Sequence, residues 1–212
     1  MQVIILVDLY SISFLTLAAR LETMATRKQA SDISVYQLKV TLKGSKPPIW
    51  RRIQVTSDIT LHHLHQILQV VLGWEEYHLH QFVIGGTYYG RTDPDYGADM
   101  RSENTVKLSQ GVKSEKLKFI YEYDFGDGWE HQIVVEKILP LQTDIHYPLC
   151  LAGKRACPPE DCGGIWGYAE LLEILQDPKH PEYEERLEWL GGSFEPEVFE
   201  LDEVNQILHN FK

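Results

Sequence analysis

The sequence predicts an α+β fold, in which a mixed or antiparallel sheet is packed by helices from the C-terminal part of the chain. Three observations lead to this prediction. Two pairs of alternating segments indicate β-hairpins, one amphipathic segment between them indicates a helix, and the last part of the chain contains three more helical patterns. Strands that precede a block of helices are typical of α+β proteins rather than of alternating α/β proteins.

The first hairpin is predicted from residues 35–55. "VYQLKVTL" (35–42) alternates apolar and polar residues and is rich in β-formers, and "IWRRIQV" (49–55) is a second strand of the same kind. "KGSKPP" between them is a turn by its Gly, Ser and Pro content. Arg51 and Arg52 then point to opposite faces of the strand, so they do not form one basic patch.

A helix and a strand follow the first hairpin. In "TLHHLHQILQVVLGW" the leucines recur at helical spacing, Asp58 or Thr60 is the predicted N-cap, and Gly73 is the predicted end. "YHLHQFVIGG" (77–86) has strand character. Hairpin, helix and strand together predict a β-grasp-like half of the domain.

The second hairpin is predicted from residues 117–139. "LKFIYEYDF" (117–125) alternates, and it pairs with "WEHQIVVEKIL" (129–139) across a turn containing Asp127-Gly128, which is a strong short-range hairpin signal. Residues 91–116 and 140–166 show no sustained periodicity, so we expect loops there. An ordered loop as long as the second one is usually functional in a compact domain.

The domain organisation follows from the length and from the first segment. We expect residues 1–34 to be an extension outside the fold and residues 35–212 to form a single domain. The first 23 residues are apolar, but Asp8 interrupts them and no Lys or Arg precedes them. A membrane span needs a longer uninterrupted apolar run, and a signal peptide needs a basic start. We therefore expect no membrane span.

Cysteine content and charge limit the class of protein. The three cysteines, at 150, 157 and 162, are too few and of odd number for a disulfide framework, which favours a reducing, cytoplasmic setting. The net charge of −11 arises in residues 159–212, which carry 14 acidic and 3 basic side chains. Such a surface repels phosphate backbones, so nucleic acid is disfavoured and a protein or peptide partner is favoured.

Two segments share acids, glycines and a tryptophan: "YDFGDGWEH" (123–131) and "RACPPEDCGGIWGY" (155–168). If the 150–164 loop folds back over the 123–131 hairpin, six side chains can line one pocket: Asp124, Asp127, His131, Glu160, Asp161 and Cys162. Carboxylates beside a histidine can bind a divalent ion or act as acid and base. The same residues also suit a rigid turn that leads into a helix.

A second hypothesis concerns zinc or another divalent metal. Its predicted ligands are His80, His131, Cys150 and Cys162. Six and four residues separate the three cysteines, which is not the close CxxC spacing of structural zinc sites. His78 and His80 share a predicted strand face with Phe82 and Ile84, which favours a core position for both histidines.

Six blocks along the chain resemble a known family. They are "PPIWRRI", "LHHLHQILQVVLGW", "HLHQFVIGG", "YEYDFGDGWEH", "CPPEDCGGIWGY" and "FELDEVNQIL". In this order they resemble the Ri-plasmid open-reading-frame-three family over residues 35–211. The resemblance implies an α+β domain and a gene carried on plasmids or near transposable elements. It implies no particular activity.

Two functions of different class are therefore compatible with the sequence. The first is a non-enzymatic binding or accessory module with a protein or peptide partner. The alternative is a metal-dependent enzyme, a hydrolase, that uses the pocket between the 123–131 hairpin and the 150–164 loop. No cofactor is established by any motif.

Overall fold

A computed structural model describes residues 33–91 and 100–211, and in these residues it contains eight strands and five helices. The strands are β1 (Ser34–Leu42), β2 (Trp50–Thr56), β3 (His80–Ile84), β4 (Thr87–Gly90), β5 (Arg101–Ser102), β6 (Lys118–Tyr123), β7 (Trp129–Pro140) and β8 (Leu149–Lys154). The helices are α1 (Leu61–Leu72), α2 (Leu108–Gly111), α3 (Gly164–Gln176), α4 (Tyr183–Trp189) and α5 (Leu201–His209). Residues 1–32 of the expected extension lie outside the described residues.

All eight strands belong to one open sheet in the order β5-β4-β3-β6-β7-β1-β2-β8. Neighbouring strands are antiparallel except for the parallel pair β4–β5, so the sheet is mixed. The α+β prediction is confirmed. The strand that follows α1 pairs with β6 and β4, while the first hairpin pairs with β7 and β8.

The first hairpin forms as predicted, and its two adjacent arginines lie in opposite environments. Arg51 is 2% exposed and donates hydrogen bonds to the carbonyl oxygens of Val71 and Lys154. Arg52 points to the other face and makes two hydrogen bonds to the Glu136 carboxylate, at 2.6 and 2.9 Å. Alternation along β2 therefore places one arginine in the core and its neighbour in a surface ion pair.

Helix α1 lies over the inner face of the sheet and has the predicted ends. The Thr60 hydroxyl accepts a hydrogen bond from the His63 amide, and Gly73 closes the helix with φ of 79°. Gln69 in the buried stripe donates a hydrogen bond to the Tyr121 hydroxyl of β6. Burial of the leucine-rich stripe, together with these caps, explains why this segment is helical.

The second hairpin also forms as predicted, with β6 and β7 antiparallel. The inward side chains of β7 begin with Trp129 and His131 and continue with Ile133 and Val135, and all four are buried. β7 continues past the hairpin and pairs with β1 along most of its length. The hairpin thus joins the two halves of the sheet.

The structure differs from the sequence prediction where a strand buries few side chains. The expected 140–166 loop contains β8, of which only Cys150 is buried, and the expected 91–116 loop contains β5 and the single turn α2. An edge strand can be held by backbone hydrogen bonds without a buried face, so it leaves no alternating pattern. The strand predicted for 77–86 begins only at His80.

The C-terminal helices cover one end of the molecule. α5 packs against α1 and β8, and the Asn205 side-chain amide bonds both the backbone N–H and the C=O of Cys150. α3 packs against α4, and Ile165 in its first turn approaches Gly44 in the turn of the first hairpin. Among the residues that the structure describes, no helix is both long and apolar enough to cross a membrane.

Candidate functional site

Three irregular segments meet at one end of the sheet: residues 74–79 after α1, the 124–128 turn of the second hairpin, and residues 155–163 before α3. The Asp124 amide donates a hydrogen bond to the Leu79 carbonyl oxygen at 2.9 Å. The Gly163 amide donates to a carboxylate oxygen of Asp127 at 3.1 Å. The Trp74 indole N–H donates to the Pro158 carbonyl oxygen at 2.9 Å. Each segment is therefore bonded to another one.

Tyr123 lies where the three segments join. Its hydroxyl donates to the Glu160 carboxylate at 2.5 Å and accepts the Tyr77 amide at 3.1 Å. Burial raises the pKa of Tyr123 well above its ordinary value, and the hydrogen bond and negative charge of Glu160 add to this effect. The hydroxyl thus remains protonated and can hold Glu160 in place.

A histidine and two aspartates converge beside this junction. His78 Nε2 lies 3.2 Å from an oxygen of Asp161 and 3.8 Å from Oδ2 of Asp124. The three ligand atoms are within 4.8 Å of one another, and no other such His, Cys, Asp or Glu group occurs in residues 33–91 and 100–211. Oδ1 of Asp124 accepts the Gly126 amide, which leaves Oδ2 to face His78. Within the described part of the chain, His78 Nε2 has no hydrogen-bond partner of good geometry.

A cleft of about 190 Å³ opens next to His78. Its polar lining includes His62, Glu76, His78, His80, Arg91 and Glu103. The Glu103 side chain is only 3% exposed, and its carboxylate lies 2.6 Å from His80 Nε2 and 3.4 Å from His62 Nδ1. A buried carboxylate held by two imidazoles is a candidate proton acceptor for a bound molecule.

His65 packs against His80, which lines the cleft. The two imidazole rings stack at 3.4 Å with an interplanar angle of 6°. Burial, followed by the neighbouring His80 and His62, lowers the pKa of His65 to about 2. His65 therefore stays neutral and shares a hydrogen bond of 2.8 Å with the Tyr121 hydroxyl.

The structure brings five of the six predicted pocket residues to the junction. Asp124 and Asp161 face His78, Asp127 accepts the Gly163 amide, and Glu160 accepts the Tyr123 hydroxyl. Cys162 lies between Asp161 and Gly163. Burial, followed by the charge of Asp127, raises the pKa of the Cys162 thiol to about 12, so the thiol is protonated at neutral pH.

His131 is the sixth predicted residue, and it lies in the core instead. It is fully buried beside the rings of Trp74 and Tyr121, and neither ring nitrogen has a hydrogen-bond partner among the described residues. Burial lowers the pKa of His131 to about 3. The physical reason for this placement is the pleat of β7, which points residues 129, 131, 133 and 135 to the same inner face.

The four predicted zinc ligands are not brought together. His80 pairs with Glu103, His131 is in the core, and Cys162 is at the junction. Cys150 is buried in β8, where burial raises its pKa to about 11. His80, His131 and Cys150 belong to three different strands, and Cys162 lies in the loop before α3. The structure therefore does not support this ligand set.

The sequence patterns do not predict His78 and Glu103 as site residues. A continuous strand over residues 77–86 predicts a core position for His78, but β3 begins at His80 and His78 lies in the preceding loop. Glu103 follows a two-residue strand that has no periodic signal. The spacing of His78 and His80, two residues apart, was the available sequence signal.

Comparisons with known proteins agree with the described fold. The profile of the family described as "Plasmid pRiA4b ORF-3-like protein" matches residues 34–203. The chain is 42% identical over 161 residues to the uncharacterised protein y4hQ of Sinorhizobium fredii, covering 76% of this chain and 82% of that protein. A crystal structure of a protein of unknown function, MM3350 from Methanosarcina mazei, is 44% identical with a TM-score of 0.74, covering 81% of this chain and 97% of that one. The chain therefore belongs to the plasmid pRiA4b ORF-3-like family.

Proposed function

We propose that this protein binds a divalent metal ion through His78, Asp124 and Asp161, and that it is a metal-dependent hydrolase. The observation that supports the proposal is the convergence of one imidazole nitrogen and two carboxylate oxygens within 4.8 Å. At metal–ligand bonds of about 2.1 Å, neighbouring ligand atoms of a tetrahedral site are about 3.4 Å apart. The distances of 3.2 and 3.8 Å from His78 Nε2 lie on either side of this value.

The donor set indicates which metal and which chemistry to expect. One nitrogen and two oxygens suit zinc or manganese better than calcium, which prefers six or more oxygens. Three protein ligands are the number found in catalytic zinc sites, where the remaining position holds water. When bound, the metal would lower the pKa of that water and polarise a substrate carbonyl or phosphoryl oxygen.

Side chains of this protein supply a proton acceptor, and they disfavour nucleophilic attack by a cysteine thiolate. Glu103 and His80 face the cleft that His78 also lines, so this pair can accept a proton from a nucleophile held there. A cysteine nucleophile would need a lowered thiol pKa, whereas burial raises that of Cys162. Activation of water fits these environments better than attack by a thiolate.

Zinc and manganese titration of the purified full chain tests the metal site. We expect one ion per chain by native mass spectrometry and calorimetry, and loss of that binding in His78→Ala and Asp161→Asn. His209→Ala removes an exposed histidine of α5 and is the matched control. Stoichiometric binding that survives both site substitutions would reject the site.

Hydrolysis is tested separately on metal-loaded protein. A panel of chromogenic carboxylic esters, phosphate monoesters and amides covers the main substrate classes. We expect turnover of at least one class that EDTA abolishes, and a loss of about 100-fold or more in Glu103→Gln with its metal content unchanged. Activity that is equal in Glu103→Gln and the wild type would exclude the proposed proton acceptor.

The second candidate function is a non-enzymatic binding module, the first of the two functions expected from the sequence. It is favoured by large apolar side chains that are exposed around the same junction, such as Trp166, which is 84% exposed. Exposed aromatic side chains of this kind are typical of protein-binding surfaces.

A further inference from the structure

Four large apolar side chains surround the junction and are exposed to solvent. They are Tyr77 (72% exposed), Leu79 (46%), Phe125 (46%) and Trp166 (84%). Leaving such side chains in water forgoes the free energy that their burial would release, about 25 cal/mol per Å² of apolar surface. An apolar group of this kind, rimmed by polar residues, marks an interaction surface.

The backbone carrying these side chains is held together by the contacts of the junction. Tyr77 and Leu79 flank His78, and the hydrogen bond from the Asp124 amide to the Leu79 carbonyl oxygen joins that segment to the turn carrying Phe125. Trp166 is in the first turn of α3. That turn begins at Gly164, which approaches the Asp127 carbonyl oxygen so closely that an added Cβ would lie 2.4 Å from it.

The three segments of this surface carry charge of one sign, and Arg91, which lines the cleft beside Leu79, lies outside them. Residues 74–80, 123–128 and 158–167 contain six carboxylates and no lysine or arginine. The carboxylates are Glu75, Glu76, Asp124, Asp127, Glu160 and Asp161. Of these, Glu75, Glu76 and Asp161 are exposed. We call the four apolar side chains and these six carboxylates the acidic apolar rim.

We propose that the acidic apolar rim is the docking surface for a basic, apolar segment of a partner protein, in which lysines or arginines accompany bulky hydrophobic side chains. The inference rests on the second candidate function above and names the chemistry of its partner. Trp and Tyr are the residue types that most often dominate binding energy, so Trp166 and Tyr77 are the expected anchors. The carboxylates would accelerate association and select for positive charge.

Charge complementarity also decides against other occupants. Nucleic acid presents phosphates, which the six carboxylates of the rim, outnumbering the neighbouring Arg91, would repel. A second copy of this chain would bring the same negative rim and a net charge of −11. A polypeptide segment with the opposite charge satisfies both the apolar and the electrostatic character of the surface.

Peptide display tests the inference with the full chain. Random peptides of about twelve residues, long enough to reach several anchors, are selected on the wild type and counter-selected on the double variant Trp166→Ser Phe125→Ser. We expect the enriched peptides to have net positive charge and several bulky apolar residues. Enrichment of acidic or neutral peptides would overturn the proposal.

Affinities of one enriched peptide then locate its site. Fluorescence anisotropy should show binding at least about tenfold weaker to Trp166→Ser, and weaker binding at higher salt. Trp189→Ser is the matched control, because Trp189 is 45% exposed on α4 and does not belong to the rim. Equal losses in the two variants would reject the rim as the docking site, and thermal unfolding of each variant verifies its fold.

Titrations in EDTA and in zinc separate this inference from the metal site. Peptide binding that persists in EDTA, with no zinc binding to the chain, would support docking and reject the metal proposal. Stoichiometric zinc with no peptide enriched on the wild type over the double variant would reject docking and leave the metal site standing.

Discussion

Arg51 and Arg52 are neighbours in β2, yet their side chains lie in different environments. Arg51 is buried without a carboxylate partner among its hydrogen bonds, and its guanidinium instead donates to three carbonyl oxygens. It also lies over the Phe199 ring, 3.9 Å from the ring centre. One of the three acceptors is Val71 near the end of α1, where carbonyl groups favour a positive charge. The side chain thus ties α1, β2 and β8 together.

His131 is the clearest case of a histidine whose protonation is coupled to folding. Its two ring nitrogens have no hydrogen-bond partner in residues 33–91 and 100–211, and it lies among aromatic rings in the core. Burial lowers its pKa to about 3 in the folded chain, against an ordinary value of 6.5. Between these values, the unfolded chain binds a proton that the folded chain does not.

We therefore predict that the free energy of unfolding decreases as the pH falls from 6.5 towards 3, by up to about 1.4 kcal/mol per pH unit for this one group. Replacement of His131 by Phe or Leu should reduce that slope and leave the part that His65 contributes. Urea unfolding at several pH values between 7 and 4.5 measures it, and His209→Ala should keep the wild-type slope. An unchanged slope in both His131 variants would show that this group does not titrate on unfolding.

At the scale of elements, the contact between the second hairpin and α3 positions the candidate site. Gly164 has φ of 67°, and an added Cβ would lie 2.4 Å from the Asp127 carbonyl oxygen. Position 164 therefore requires both a left-handed backbone and a close approach to another segment of the chain. Glycine satisfies both because it has no Cβ.

We predict that Gly164→Ala lowers the free energy of unfolding by about 3 kcal/mol or more, because strain and collision add. It should also weaken zinc binding, since the segment holding Asp161 must move away from the hairpin. Gly85→Ala is the control, because Gly85 has φ of 57° but open space around its would-be Cβ.

That control substitution should cost about 1–2 kcal/mol and leave metal binding unchanged. Urea unfolding and zinc calorimetry on the two variants give the comparison. Equal losses of stability in both would mean that the hairpin adjusts to the added methyl group without resistance.

At the scale of the whole molecule, the first element of the described fold is β1. Ser34 opens β1, and both its amide and its carbonyl oxygen bond Ser57. The family match also begins at residue 34. Strand β1 lies between β2 and β7 in the sheet, so it is paired on both sides.

We predict that a chain lacking residues 1–32 unfolds within about 1 °C of the full chain, because residue 33 onwards contains the whole hydrogen-bonded start of β1. Differential scanning calorimetry of both chains at equal concentration checks this. A decrease of several degrees in Tm would show that residues 1–32 pack on the domain and that the extension belongs to the fold.

Local patterns along the chain were sufficient to predict the two hairpins, α1 with its caps, and the α+β class. Each depends on near neighbours: alternation across a strand, the Asp127-Gly128 turn, or a threonine and a glycine at helix ends. They also indicated that the acidic segments 123–131 and 155–168 contain residues suited to one pocket. In these cases the physical cause and the sequence signal lie within a few residues of each other.

The tertiary structure decided which of these segments meet. β8 at the sheet edge is held by backbone bonds and has no alternating face, so its sequence carried no strand signal. His78 joins Asp124 and Asp161 only because strand order brings β3 beside β6, and because Gly164 lets the third segment approach. His131 lies in the core for a related reason. The pleat of β7 sets the direction of its side chain, and its closeness in sequence to the acidic turn does not. Contacts between distant segments depend on strand order in the sheet and on how closely two segments can approach. A short stretch of residues predicts neither of these.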